Sequence, residues 1–143
     1  MEPRVSRLQK MKDRPRLTYL VLAANLSVYS VGVYLALTLG ADESNEFFFL
    51  LAKDSSAVAA GEYWRLFSAN FLHAGVLHLA LNCFALGQLG PQVEGAFGSA
   101  RFAFIYLSAG LSGSLASFLL SDDITVGASG ALFGLLGALA AYF

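Results

Sequence analysis

Ser129 stands in Gly127-Ala128-Ser129-Gly130, at the head of an apolar run that continues to Phe143. A serine hydroxyl among small neighbours can attack a carbonyl if a base takes its proton and donors hold the oxyanion that forms. Three more polar side chains, His73, His78 and Asn82, interrupt the apolar stretch Phe71–Asn82. Polar groups inside a membrane are costly; they face the bundle or a wet cavity and often mark a functional path. His78 and Asn82 lie four residues apart, share one helical face, and can both donate toward one point. His73 is expected at the entrance. The plainer reading makes His78 and Asn82 interhelical glue, worth about 1 kcal/mol or less per bond. It also makes Ser129 packing filler beside Gly130, Gly134 and Gly137, the first two at close-packing spacing. In the catalytic reading the same small residues bring the fourth helix against the second, beside His78 and Asn82. The strand–elbow–helix pattern of soluble hydrolases does not fit, because Ala131 replaces its last glycine. His73 and His78 are not one turn apart and no third ligand accompanies them, so no metal is expected.

These residues must be positioned by membrane elements. The chain has 143 residues, 57% hydrophobic and 13% charged, with mean hydropathy +0.62. A soluble domain is nearer about half apolar and about a quarter charged. A crossing helix needs about 20 apolar residues. Four segments qualify: Leu17–Leu39, a span within Leu66–Val93, Phe102–Leu120, and roughly Thr125–Phe143. The runs are too long, and too rich in Ala, Leu and Gly, for barrel strands. The expected fold is an all-α, polytopic membrane helix bundle. Residues 1–16 form a basic tail and residues 17–143 a membrane domain. The first run is longer than a signal-peptide core and more runs follow, so it reads as a retained span.

Charge sets the orientation. Arg4, Arg7, Lys10, Lys12, Arg14 and Arg16 crowd the tail, placing it on the cytoplasmic, stromal or matrix side. The acidic first loop, Asp42–Arg65, and Asp122-Asp123 then lie opposite, and His78 and Ser129 fall in the same leaflet. Phe47–Leu51 and Tyr63-Trp64-Arg65 suit a loop lying along the interface, or one packed on the bundle. Lone Cys83 reads as a packing residue. The tail is explained by orientation and anionic lipid. No phosphate or dinucleotide loop is present, so neither a cofactor nor a nucleic-acid partner is expected.

Together these residues resemble the rhomboid family of intramembrane serine proteases. The resemblance runs from about Gly61 to Phe143. It is carried by Trp64-Arg65, by His73, His78 and Asn82 at their spacing, by Gly90-xxx-Glu94-xxx-Gly98-Ser99, and by Gly127-Ala128-Ser129-Gly130 with Gly134. It implies that Ser129 is the nucleophile and that His78 and Asn82 hold the oxyanion with the Ser129 backbone N–H. It implies structural roles for Trp64, Arg65, Glu94, Gly98, Gly127, Gly130 and Gly134, leaving the role of His73 open. Glu94 and Arg101 could pair. The resemblance further implies transmembrane protein substrates, a bacterial plasma membrane or organelle membrane, and six or more helices, with the base histidine on a later one. No histidine follows Ser129. The chain is thus expected to be truncated in its fourth helix and inactive alone, within a protease or a non-catalytic rhomboid-like binder of transmembrane clients.

Overall fold

The computed structural model describes residues 15–143. Arg4, Arg7, Lys10, Lys12 and Arg14 of the basic tail lie outside the described residues, and Arg16 opens the first helix. The helices run in the order α1 Arg16–Thr38, α2 Ala41–Leu51, α3 Ser55–Ala59, α4 Arg65–Ser68, a 3-10 turn Ala69–Phe71, α5 Val76–Phe97, α6 Ser99–Leu120 and α7 Ser129–Tyr142. Among the described residues the extended backbone makes one antiparallel bridge, Lys53 with Thr125, and no named strand. Hydrocarbon supplies no hydrogen bonds, so backbone groups must pair within the protein, and a helix does this within one segment.

Helices α1 and α6, of 23 and 22 residues, are each long and apolar enough to cross a bilayer. The stretch Leu66–Val93, expected to hold one span, is broken. The segment Arg65–Phe71 and helix α5 meet at 88° and qualify as a span together. Just before the break, the Asn70 amide donates to Leu66 O and Phe67 O at 2.9 and 3.2 Å. The same amide reaches Ser114 Oγ of α6 at 3.1 Å. Helix α7 begins at Ser129, four residues later than expected, and holds 14 residues. That is about 21 Å of rise, short of the about 30 Å hydrocarbon core.

Helix α1 packs on α5, α2 folds back on α1, and α7 packs on both α5 and α6. The core joins Leu86 and Val93 of α5, Phe102 and Tyr106 of α6, and Ala131, Leu135 and Leu139 of α7. Lipid tails are as apolar as these side chains, so close fit and hydrogen bonds hold such helices together rather than exclusion of water.

The segment Gly90–Ser99 shows how. A Cβ at Gly90 would lie 2.5 Å from Thr18 Cγ2, so glycine admits the start of α1. One turn on, the buried Glu94 carboxylate accepts from Leu17 N at 3.0 Å, Thr18 N at 2.9 Å and Thr18 Oγ1 at 2.8 Å. It caps α1 from outside, where unpaired N–H groups and the helix dipole favour an anion. Ser99 Oγ donates to the same carboxylate at 2.6 Å. Gly98, at φ +84°, turns the chain from α5 into α6. The expected Glu94–Arg101 pair is not formed: Glu94 is satisfied by α1 and Ser99, and Arg101 is exposed.

The first loop is folded. At the end of α2 the carbonyls of Phe49, Leu50, Leu51 and Ala52 have lost their helical partners. Buried Arg65 donates through Nη1 to Phe49 O, and to Ala52 O at 3.1 Å. Trp64 Nε1 approaches Leu50 O at 3.4 Å, and Ser68 Oγ donates to Leu51 O at 2.8 Å. Glu62 completes the clamp by pairing with Arg65 at 2.5 Å. Phe47 and Phe48 pack against α1, whereas about half of the surface of Phe49 and Leu50 faces outward.

Candidate active site

Between α6 and α7 the chain crosses back along the first loop. Lys53 N donates to Thr125 O at 3.1 Å, and Thr125 N donates to Lys53 O at 3.0 Å. The Lys53 ammonium donates to Ser121 O at 3.0 Å and Asp123 O at 2.7 Å. Ser55 Oγ donates to Ser121 O at 2.9 Å. Gly127 N donates to Ala69 O at 2.8 Å, tying the loop to the 3-10 turn. The chain therefore enters α7 from a fixed direction.

Gly127 is required by its backbone and by its neighbour. Its φ is +111°, which L side chains rarely adopt, and an added Cβ would lie 2.7 Å from both Cε1 and Nε2 of His78. The His78 imidazole thus rests on the glycine two residues before Ser129. Ser129 is the first residue of α7. Its N–H is among those a helix start leaves without an intrahelical partner, at the positive end of the dipole. The Ser129 side is exposed.

Asn82, one turn after His78, is buried and lines a cavity of about 300 Å³ together with Ser129, Ala85, Leu132 and Phe133. Its Nδ2 donates to His78 O at 2.9 Å. An amide nitrogen carries two hydrogens, so one donor remains; Oδ1 is buried without a partner among the described residues. His73 is not at an entrance. It is 3% exposed, in the break before α5, with its ring edge-on to His78 at a 5.2 Å centroid distance. Among the described residues, neither of its ring nitrogens has a hydrogen-bond partner.

The structure thus brings His73, His78, Asn82, Gly127 and Ser129 to one end of the α5–α7 groove, with Glu94 and Gly98 at the other end of α5. A further expectation is corrected. The small-residue face of α7 meets α6, not the helix that carries His78. A Cβ at Gly130 would lie 3.4 Å from Gly113 Cα, and one at Gly134 would lie 2.2 Å from Ala109 Cβ. A Cβ at Gly137 would meet no atom of another element within 4 Å among the described residues. A glycine stripe announces close approach without naming the partner. Cys83 is half-buried.

A family model described as the Rhomboid domain matches residues 60–143, more than half of the chain. The chain belongs to the rhomboid family. It is an integral membrane protein built as a polytopic helix bundle. Among rhomboid relatives, it is 43% identical over 126 residues to Rhomboid protease GluP of Bacillus subtilis (strain 168), covering 88% of this chain and 24% of that protein. RHOMBOID-like protein 9, chloroplastic, of Arabidopsis thaliana is 45% identical over 61% of this chain and 20% of its own length. RHOMBOID-like protein 6, mitochondrial, of the same plant is 48% identical over 57% of this chain and 27% of its own. The chain thus spans about a quarter of the length of these curated relatives.

Sequence reasoning missed two residues that build this rhomboid site. Asn70 ties the segment before the break to Ser114 of α6, and Lys53 anchors the loop before Ser129. Asn70 was readable as a lone amide in an apolar run; Lys53 resembled any solvated loop charge.

Proposed function

We propose that this chain carries the nucleophile and oxyanion side of an intramembrane serine endopeptidase acting on transmembrane proteins. Ser129 attacks the scissile carbonyl. The Ser129 N–H, the free hydrogen of Asn82 Nδ2 and the His78 imidazole hold the oxyanion. The observation that carries this reading is the shared cavity of Ser129 and Asn82, with the His78 ring against Gly127, two residues before Ser129. Donors fixed in advance in a low-dielectric site can each lower the barrier by about 3–4 kcal/mol. The buried Asn82 is suited to this, and the apolar cavity wall suits a membrane-spanning substrate.

The hydroxyl also needs a proton acceptor. Among the described residues Ser129 Oγ makes no hydrogen bond, and His73 is turned to His78. We infer that the base is a histidine on a further helix of a longer protein, and that residues 17–143 form part of one membrane domain. Loss of one member of a serine–histidine unit leaves little catalysis, so the 143-residue chain alone should be inactive. The tail before residue 17 belongs on the cytoplasmic, stromal or matrix side, with the first loop and the α6–α7 loop opposite. The hydrogen bonds joining those two loops support their shared side.

The test is cleavage of a membrane-spanning substrate by the full-length protein in liposomes, with Ser129→Ala as control. Cleavage abolished by the substitution supports the reading. Substrate that co-purifies but is never cut supports the second reading, a non-catalytic binder of transmembrane clients. The unpartnered Ser129 hydroxyl is the observation that keeps the second reading in play.

A further inference from the structure

We propose that Lys53 is a positioning residue for Ser129, acting from the first loop through the strap formed by residues 121–127. The inference rests on the reading of Ser129 as nucleophile. Four alternate residues of the strap are held from the same side. Ser121 O receives the Lys53 ammonium and the Ser55 hydroxyl; Asp123 O receives the ammonium; Thr125 exchanges two backbone bonds with Lys53; Gly127 N bonds Ala69 O. Lys53 accounts for four of these six bonds, two through its side chain and two through its backbone.

The ammonium is fully buried, and the salt bridge found among the described residues joins Arg65 and Glu62 instead. A buried charge is tolerated when it is well hydrogen-bonded. Here main-chain carbonyls do this, one of them at Ser121, just past the end of α6, where the helix dipole favours a cation. This geometry ties the carbonyls to one place. Gly127 follows Thr125 by two residues and touches His78, and Ser129 follows Gly127 by two. A displacement of the strap therefore moves the nucleophile relative to His78 and Asn82. Displacements near 1 Å at a reacting group can lower rates by about a hundredfold.

The experiment compares the full-length protein with its Lys53→Met and Ser55→Ala variants by two readouts. Amide hydrogen exchange reports the strap, and the rate at which a fluorophosphonate labels Ser129 reports the nucleophile. Lys53→Met should raise exchange at residues 121–128 by at least about tenfold, leave α1 and α5 protected, and slow labelling by about tenfold or more. Ser55→Ala, which removes one bond, should move both readouts the same way by less and covers the case in which Lys53→Met does not fold. Unchanged exchange in the strap overturns the proposal. Raised exchange with unchanged labelling overturns it too, reducing Lys53 to a fold contact. A wild-type protein that does not label contradicts the proposed function, and the strap is then judged on exchange alone.

Discussion

At Asn82, what matters is which hydrogen of one amide is free. One Nδ2 hydrogen serves His78 O and the other is available to the cavity shared with Ser129. Asn82→Ala is expected to lower kcat by about 10²–10³-fold with a smaller change in KM, the signature of a donor used in the transition state. Steady-state cleavage by the full-length protein checks this; an unchanged kcat removes Asn82 from the oxyanion site. Gly127→Ala combines a disfavoured φ with a Cβ 2.7 Å from the His78 ring. It should cost about 1–3 kcal/mol of stability and displace His78, read as a lowered thermal unfolding midpoint together with lost cleavage. The candidate residues Ser129, His78 and Asn82 were legible in the sequence because polar groups stand out in an apolar run. The burial of His73 was not legible, since it depends on a chain break that hydropathy does not register. Lys53 was illegible for the opposite reason: in the loop it looks like any solvated charge until its partners are seen.

At the scale of elements, α1 and α6 follow directly from run length. The break at Leu72–Gly75 and the late start of α7 do not, because run length registers neither a local bend nor the ties of residues 121–127 to the first loop. Which helix faces the glycines of α7 was equally hidden, since a helix apolar all round shows no single buried face. Gly134→Leu should therefore separate α7 from α6 rather than α7 from α5. Its cost should be about 1–3 kcal/mol from overpacking, and disulfide trapping between cysteines placed on α6 and α7 would weaken while trapping between α1 and α5 would not. Glu94→Gln keeps an acceptor but removes the charge that caps α1. A loss of about 1–2 kcal/mol is expected, with faster exchange confined to the first turn of α1. At the start of α3 the Ser56 hydroxyl, with the Ala57 and Ser56 N–H groups, holds the Asp54 carboxyl below its ordinary value of 3.8. The folded pKa is depressed, so this cap is in place above the ordinary aspartate range and is lost as pH falls through the folded value. Asp54→Asn should flatten the acid dependence of exchange in α3.

Across the whole molecule, two loops distant in sequence, Asp42–Arg65 and residues 121–127, are bonded to each other at one end of the bundle. On the proposed orientation, the charge bias of the loops puts both on one side, opposite the basic tail. Cysteines introduced at Glu62 and Asp122 should react together with an impermeant thiol reagent from the outer side of sealed vesicles, and one near Gln9 should not. On the proposed reading, the site draws its nucleophile direction from the first loop, its oxyanion donors from α5 and its helix-start N–H from α7. The measurement that tests this account most directly is mass-spectrometric mapping of a fluorophosphonate adduct on the full-length protein. Covalent modification at Ser129, absent from the Ser129→Ala variant, is the predicted result. A folded, membrane-inserted protein that carries no adduct at Ser129 would contradict it.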